Sequence, residues 1–259
     1  YLEGDGDFRS KEVCALRDEA DIIVTNPPFS LFREFLAWII EANKEMLIIG
    51  NQNSITCKEI FQYVQNDKLW LGVTGYSTDM VFGVPKDAEV SPKDKAKAAK
   101  LGYVGDYTRL GNSCWFTNLD HGRRHQPIQL MTIKDNLLYS KHKDLKAKGY
   151  LKYDNYDAIN VGYNDAIPLD YDGVMGVPVT FLDRYCPEQF EILGLTQIGC
   201  HDEVPDKKRY NEYKEIYRAT DLPTGSSGGK TNENAVISGK GDKKTYYLGP
   251  NGETVYSEY

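Results

Sequence analysis

Long apolar runs and paired cysteines are both missing from this sequence of 259 residues. No stretch approaches the roughly 18 consecutive apolar residues that a membrane-spanning helix needs, and the first residues lack the basic-then-apolar pattern of a signal peptide. The five cysteines are spread along the chain without a C-x-x-C pair, which argues against a disulfide framework and a zinc knuckle. We therefore expect reduced thiols and a cytoplasmic, globular protein with no membrane partner.

Metal-ligand spacing and an excess of basic residues are missing as well. The four histidines do not stand at metal-binding intervals from carboxylates or thiols, so we predict no metal site. The formal net charge of −7 argues against a uniformly basic nucleic-acid clamp. Local basic clusters are nevertheless candidates for phosphate contacts, namely Arg123 and Arg124 in "GRRH" and Lys141, Lys146 and Lys148 in "KHKDLKAKGYLK". A solvated surface is the alternative interpretation of each cluster.

A phosphate-binding loop is also absent from the sequence. The stretch "TGSSGGKT", Thr224–Thr231, has threonine where the pattern G-x-x-x-x-G-K-[ST] requires glycine. Its flanks do not have the pattern of a buried strand and a helix. We interpret this stretch as a mobile loop.

The first part of the sequence predicts alternating strands and helices. "DIIVT", Asp21–Thr25, predicts a short, fully buried strand, and "SLFREFLAWIIEANK" follows with apolar residues at helical spacing and Ser30 as N-cap. "EMLIIGNQNS" predicts a second buried strand, after which Thr56 and Glu59 form a capping box for another helix. Such a run implies a parallel sheet with helices on its faces, where ligands bind at the carboxyl ends of the strands.

The pattern changes after about Lys68, where short strand candidates are separated by Gly, Pro and Asp. From about Asn136 the sequence becomes rich in tyrosine and ends in a polar stretch. We therefore predict two domains, residues 1–135 and residues 136–259, of which the second is β-rich or irregular.

The sequence Asn-Pro-Pro-Phe, residues 26–29, directly follows the first predicted strand. Pro27 and Pro28 lack backbone donors and end the strand. The side-chain carbonyl of Asn26 and the backbone carbonyl of Pro27 then become two fixed hydrogen-bond acceptors. Phe29 offers a stacking surface, worth about 1–3 kcal/mol per base. Together these residues predict a socket for the exocyclic amine of a planar base, whereas the alternative is an ordinary turn.

The motif and its surroundings resemble a known family. A buried strand followed by Asn-Pro-Pro-Phe is the catalytic motif of amino-group DNA methyltransferases, and "IVTNPPFSLFREF", "LIIGNQNSITCKEIF" and "CWFTNLDHGRRH" are similar to the EcoRI-type adenine-specific modification methylases. The similarity runs from about Gly4 to about Leu195. It implies a Rossmann-like methyltransferase sheet with helices on both faces, S-adenosylmethionine as donor, and adenine of double-stranded DNA flipped into the socket. The catalytic residues that it implies are Asn26, Pro27, Pro28 and Phe29.

The resemblance also implies a place for the cofactor. "GDGDF", Gly4–Phe8, matches the family's element in which an acidic residue and an apolar neighbour meet the adenine of the cofactor, and Asp7 with Phe8 fits best. Asn26 is expected to contact the cofactor as well. The family's glycine-rich cofactor loop does not occur in the 25 residues before Asn26. We therefore expect a fragment that lacks part of the cofactor site.

The resulting prediction is methyl transfer to the exocyclic amino group of adenine in DNA, within restriction-modification, with residues 136–259 recognising the target. Two alternatives stay open. One is an enzyme that methylates a guanine amine of RNA or a glutamine side chain of a protein; the other is a non-catalytic nucleic-acid-binding relative. The large C-terminal region favours DNA. The target sequence and the oligomeric state do not follow from the sequence.

Overall fold

The computed structural model describes residues 2, 4–74, 79–196, 208–232, 234–237 and 244–256. The chain divides into two compact units, the first formed by Tyr1–Pro127 with Leu182–Phe190, and the second by Ile128–Phe181 with Glu191–Tyr259. The predicted division between residues 135 and 136 falls within a helix of the second unit, Ile133–Tyr139.

The first unit is built around a four-stranded sheet. Its elements are α1 (Lys11–Glu19), β1 (Ile22–Thr25), α2 (Phe32–Glu41), β2 (Glu45–Asn51), α3 (Lys58–Gln65), β3 (Trp70–Leu71), β4 (Met80–Gly83), α4 (Pro92–Lys100), β5 (Tyr107–Leu110) and β6 (Ser113–Thr117). The strand order in the sheet is β1-β2-β6-β3. Strand β1 is parallel to β2, while β6 is antiparallel to both β2 and β3.

The predicted parallel pairing of the first two strands is confirmed. The register runs from Ile22 opposite Glu45 to Thr25 opposite Ile48. Because both strands point the same way, Asn26 and Asn51 lie at the same edge of the sheet, which we call the carboxyl edge. Helix α2 packs its apolar residues Phe32, Leu36 and Ile39, all fully buried, into the core of this unit.

The predicted full burial of β1 is wrong. Ile22 is 46% and Val24 is 64% exposed, and these alternate residues share one face of the sheet. In the part of the chain that the structure describes, β1 pairs with β2 alone and nothing buries the outer side chains of Ile22 and Val24. The predicted covering of both faces by helices therefore does not hold at this end of the sheet.

Both helices that follow these strands begin later than predicted. Ser30 lies inside a 3-10 helix, Phe29–Leu31, and α2 begins at Phe32 without a side-chain cap. Thr56 ends a second 3-10 helix, and its hydroxyl donates to the carbonyl of Asn53 at 2.9 Å. The predicted cap at Ser30 and the capping box at Thr56 are wrong because a tight 3-10 turn follows each strand end and takes up these residues.

The segment between β3 and β6, residues 72–112, carries β4, α4 and β5. It leaves the sheet at Gly72, whose amide donates to the carbonyl of Trp115 at 2.8 Å. It returns at Asn112, whose carbonyl accepts from the amide of Gln52 at 2.9 Å. Since β3 ends, and β6 begins, at the carboxyl edge, the whole segment is inserted at that edge.

In its described residues, the second unit contains two short α-helices, several 3-10 turns and two small sheets. Its elements are α5 (Ile133–Tyr139), α6 (Lys143–Lys148), β7 (Leu151–Lys152), β8 (Ala158–Asn160), β9 (Val174–Gly176), β10 (Lys214–Tyr217), β11 (Pro223–Ser227), β12 (Thr245–Leu248) and β13 (Thr254–Val255). The sheets have the orders β7-β8-β9 and β11-β10-β12-β13. Tyrosines fill much of the core, including the fully buried Tyr156 and Tyr210.

The predicted mobile loop at Thr224–Thr231 is wrong. Its first half belongs to β11, and Gly228–Thr231 forms a 3-10 helix whose N-cap is Ser227. The Ser227 hydroxyl accepts from the amide of Gly229 at 3.3 Å. Pairing with β10 thus orders a stretch whose composition is typical of a loop. Among the described helices of both units, none is long and apolar enough to cross a membrane.

Candidate active site

The Asn-Pro-Pro-Phe motif lies at the carboxyl end of β1 and is largely solvent-exposed. Asn26 is exposed and Phe29 is 43% exposed, whereas Pro27 between them is buried. The carbonyl of Pro28 accepts from the amide of Leu31 at 3.0 Å, which starts the 3-10 turn. The motif is therefore anchored by its buried proline and presents an amide and an aromatic ring to solvent.

The neighbouring strand end is held by its own amide side chains. The side-chain oxygen of Asn51 accepts from the amide of Asn53 at 2.9 Å. The side-chain amide of Gln52 donates to the carbonyl of Ser113 at 3.3 Å, and Asn51 pairs with Ser113 across the sheet. These bonds fix the end of β2 to the start of β6. The carboxyl edge beside Asn26 is thus a rigid part of the sheet.

Asp7 and Phe8, the predicted cofactor residues, have different surroundings. The Asp7 carboxylate accepts from the Arg9 guanidinium at 2.8 and 3.0 Å, and these hydrogen bonds lower the pKa of Asp7 to about 2. Phe8 is buried, with ring centroids 5.3 Å from Phe35 and 5.5 Å from Trp38. Asp7 therefore offers a partly exposed carboxylate, whereas Phe8 belongs to the core beside α2 and has no face free for stacking.

Arg123 and Arg124 have partners inside the first unit, in a group that we call the arginine corner, with Trp70, Asp67 and Asp183. The Arg124 guanidinium is buried 3.9 Å from the centre of the Trp70 ring and forms an ion pair with Asp67. Arg123 donates to the buried carboxylate of Asp183 at 2.9 Å. Both guanidiniums thus have internal partners that stabilise the packing of this corner, and Arg124 is nearly inaccessible to a phosphate because its side chain is only 9% exposed.

A histidine that the sequence did not single out joins residues 182–190 to the rest of the first unit. His125 lies between the carboxylates of Asp120, at 2.7 Å, and Glu188, at 2.6 Å. Hydrogen bonds to the carboxylates of Asp120, first, and Glu188, second, raise the pKa of His125. The Cys186 thiol donates to the other oxygen of Glu188 at 3.1 Å. No local sequence pattern indicates this group, because Glu188 is 63 residues away from His125.

The three predicted phosphate-binding lysines lie together in the second unit. Lys141 precedes α6, while Lys146 and Lys148 occupy its last turn, and all three side chains are exposed. Lys141 forms an ion pair with Asp165 at 2.8 Å. The same carboxylate contacts His142 at 2.8 Å, and its pKa is lowered to about 2, first by Lys141 and then by His142. Among the described residues, Lys146 and Lys148 form no ion pair, unlike Lys141.

Comparison with known proteins decides the family. A family model described as "Adenine-specific methyltransferase EcoRI" matches residues 1–246. The chain belongs to this EcoRI methylase family.

Three relatives of this EcoRI methylase family member are named Type II methyltransferases. M.EcoRI of Escherichia coli is 47% identical over 191 residues, which cover 73% of this chain and 55% of the relative. M.MgeORF184P of Mycoplasma genitalium is 40% identical and M.MpnI of Mycoplasma pneumoniae is 37% identical, each over 74% of this chain and 57% of the relative. The chain thus spans a little more than half the length of these relatives. No solved structure matches it significantly.

In the described part of this EcoRI methylase family member, His, Cys, Asp and Glu side chains do not group as a metal site requires. Within the residues whose positions are described, no group of three or more His, Cys, Asp or Glu side chains is arranged to hold a metal ion. His125, with two carboxylates, is the densest such contact in the first unit, and its partners hold it by hydrogen bonds.

Proposed function

We propose that this protein methylates the exocyclic amino group of adenine in double-stranded DNA, with S-adenosylmethionine as the methyl donor. The observation that carries this proposal is the exposed Asn26–Phe29 motif at the carboxyl end of β1, beside the end of the parallel strand β2. Membership of an adenine-specific methyltransferase family supports the reaction class. Because the chain spans only part of its relatives' length, we propose this activity rather than infer it from family membership alone.

The motif would act by positioning the amine. Methyl transfer needs the lone pair of the amine, the methyl carbon and the leaving sulfur in line, so orientation contributes most of the rate. The side-chain carbonyl of Asn26 and the backbone carbonyl of Pro27 accept hydrogen bonds from the two N–H groups. Two such acceptors draw the nitrogen away from conjugation with the ring and stabilise its developing positive charge.

Phe29 would hold the base once it has left the duplex. The adenine amine is paired inside double-stranded DNA, so an enzyme that acts on it must extrude the nucleotide. The exposed ring of Phe29 lies three residues after Asn26 and supplies a stacking surface. Pro27 and Pro28 keep the acceptor and the ring in a fixed relation.

The topology of the first unit supports a Rossmann-like methyltransferase sheet. Strands β1 and β2 are parallel and are each followed by a helix, and β6 is antiparallel to its neighbours. Ligands of open sheets of this kind bind outside the carboxyl ends of the parallel strands. The carboxyl edge with Asn26 and Asn51 is such a position.

The residues at hand provide one clear contact for the cofactor. Methyltransferases of this type generally use S-adenosylmethionine, which supplies an activated methyl group when bound. The partly exposed Asp7 carboxylate can accept a hydrogen bond from a hydroxyl or amino group of that molecule. Phe8 is too deeply buried to stack on it. We therefore keep Asp7 as a cofactor ligand and assign Phe8 to the core.

The second unit would recognise the target in DNA. The exposed Lys146 and Lys148 are the phosphate contacts that we propose, with Lys141 joining them when its ion pair with Asp165 opens. Arg123 and Arg124 are left out because of their internal partners. Loss of both Lys146 and Lys148 should reduce the salt slope of DNA binding by about 2, since each phosphate contact contributes about 0.9.

The decisive experiment is to identify the methylated product. The full-length protein is incubated with labelled S-adenosylmethionine and, in separate reactions, with a mixed-sequence DNA duplex, a structured RNA and a glutamine-containing protein. We expect label in DNA only, recovered as N6-methyladenine after digestion and mass spectrometry. Label in RNA or protein instead would favour the other amino-group methyltransferases, and DNA binding without label would favour the non-catalytic relative.

A further inference from the structure

The inserted segment carries an exposed apolar tip, Leu101–Val104, which follows α4 directly. Leu101 is 50%, Tyr103 47% and Val104 78% exposed, and the value for Val104 is the largest for any large apolar side chain in the described chain. Three such side chains within four residues form a patch rather than a scattered exposure. Patches of this kind usually mark interaction sites.

The apolar tip is well ordered. The amides of Leu101, Gly102 and Tyr103 donate to carbonyls of the last turn of α4 at about 3.0 Å, which caps the helix. Gly102 and Gly105 have φ values of +92° and +111°, where a side chain would be strained. The Tyr103 ring packs on Tyr107 of β5, with ring centroids 5.4 Å apart. The tip is therefore a preformed projection of the insertion.

The position of the insertion relates the apolar tip to the candidate site. Residues 72–112 leave the sheet and return to it at the carboxyl edge, where Gly72 bonds to Trp115 and Asn112 to Gln52. Asn26 lies at the same edge, two strands away from β6. Asn26 and the two ends of the insertion therefore share one edge of the sheet.

The charge next to the apolar tip favours a polyanion. Helix α4 carries four lysines, of which Lys93, Lys95 and Lys100 are exposed, against a single aspartate. That aspartate, Asp94, accepts from the Ser91 hydroxyl at 2.7 Å and lies 4.0 Å from the Arg109 guanidinium. The helix therefore has a surplus of free positive charge at the base of an apolar projection.

We propose that the apolar tip is a DNA wedge, in which Tyr103 and Val104 enter the base stack at the place vacated by the flipped adenine. The lysines of α4 would contact the flanking phosphates. This inference rests on the proposed function, because only an extruded base leaves such a space. Unstacking costs a few kcal/mol per step, and an apolar side chain that fills the gap offsets part of that cost.

The test compares a double variant, Tyr103→Ala with Val104→Ala, with the control Leu222→Ala. Leu222 lies in the second unit and is 61% exposed, a value between those of Tyr103 and Val104. A DNA duplex carries 2-aminopurine at the target position, and its fluorescence reports extrusion. We expect the double variant to lower the extruded fraction about tenfold, the equivalent of about 1.4 kcal/mol. The control should match the wild type in extrusion and in thermal melting, and the double variant should melt only slightly lower because it loses the Tyr103–Tyr107 ring contact.

A mismatched target separates a wedge from an ordinary surface contact. An unpaired base leaves the stack more easily, so the defect of the double variant should shrink to about twofold when the target has no pairing partner. An equal loss on paired and mismatched duplexes would mean that the tip contacts DNA outside the stack and would overturn the wedge. Unchanged extrusion on both duplexes would also overturn the wedge and would favour a protein partner for the tip.

Disulfide trapping locates the tip directly. Val104→Cys should cross-link to a duplex with a thiol-tethered base opposite the target, whereas Leu222→Cys and the wild-type cysteines should not. Cross-linking equal to that of the control would overturn the wedge. If the wild-type protein neither binds DNA nor extrudes the base, the proposed function fails and the wedge fails with it. If the wild-type protein extrudes the base and the double variant extrudes it equally well, the wedge alone fails.

Discussion

The Asn26–Phe29 motif and the arginine corner are both conspicuous in the sequence, yet the structure treats them in opposite ways. The motif presents Asn26 and Phe29 to solvent at a strand end. The corner buries Arg124 against Trp70 and pairs Arg123 with Asp183. A guanidinium that has found an aromatic face and a carboxylate inside the protein is already satisfied, whereas an exposed amide beside a ring is available to a ligand. Residue type alone does not make this distinction.

The largest effect should come from removing the amide of the motif. Asn26→Ala deletes one of the two proposed acceptors, so single-turnover methylation should slow about 100- to 1,000-fold, corresponding to about 2–4 kcal/mol of transition-state stabilisation. Binding of DNA and thermal stability should barely change, because the side chain is exposed. Asn26→Asp is the matched control, since it keeps an acceptor and should retain part of the rate.

Phe29 tests whether the ring acts by stacking. Phe29→Ala should reduce both base retention and turnover, by less than Asn26→Ala, while Phe29→Trp keeps an aromatic face and should keep much of the activity. The readout is methylation together with 2-aminopurine fluorescence at the target. Equal losses for the alanine and tryptophan variants, or near wild-type methylation by Asn26→Ala, would remove the motif from the mechanism.

A smaller effect, and on stability rather than on rate, is expected in the arginine corner. Arg124→Ala loses the contact with Trp70 and the ion pair with Asp67, so the free energy of unfolding should fall by about 1–3 kcal/mol. Urea denaturation followed by tryptophan fluorescence measures it. Lys146→Ala, an exposed position, is the control and should change stability by less than about 0.5 kcal/mol. If Arg124→Ala left stability unchanged and weakened DNA binding, the result would support the sequence-based prediction that Arg124 contacts DNA phosphates.

The smallest effect should be a pH dependence at His125. The carboxylates of Asp120 and Glu188 raise the pKa of His125, so its protonated form is favoured in the folded protein. Its stabilising contribution is complete below the ordinary histidine value of about 6.5 and is lost as pH rises through the raised pKa. On the acid side, the pKa values of Asp120 and Glu188 are lowered, the latter to about 2, and their contribution falls as they become protonated.

The difference in melting temperature between the wild type and His125→Asn therefore tests this contribution. It should be largest near pH 6 and should shrink towards pH 9. Arg124 also lies 3.8 Å from Asp120 and forms its own ion pair with Asp67. A difference that stays constant between pH 6 and pH 9 would mean that His125 acts by packing alone.

Sequence patterns with a short range predicted the elements around the candidate site well. The order of strand, motif, helix and strand follows from the apolar spacing and from the two prolines, and parallel pairing follows from the short connections. The burial of β1 was not predictable in this way, because it depends on what lies over the outer faces of Ile22 and Val24. Apolar spacing also failed to predict the first residues of α2 and α3, because a 3-10 turn precedes each of these helices.

Contacts between distant parts of the sequence were beyond the reach of such patterns. Arginines at 123 and 124 attract attention as free charges because Asp183 is 60 residues away in the chain. The attachment of residues 182–190 to the first unit depends on the same kind of contact, between His125 and Glu188. Tyrosine-rich strands of the second unit were also hard to delimit, since much of their core consists of amphipathic rings.

Gly50 lies at a position of the carboxyl edge where there is no room for a side chain. A β-carbon at this position would lie 2.8 Å from the ring of Phe116 and still closer to that of Phe32, so α2 rests on the sheet with no spare thickness. Phe32 follows Phe29 by three residues, and Gly50 directly precedes Asn51. An added β-carbon would force these rings to shift, and a misplacement of about 1 Å at a catalytic group can cost about 100-fold in rate. In the proposed mechanism, the alignment of the amine therefore depends on two core rings, Phe32 and Phe116, that pack against Gly50.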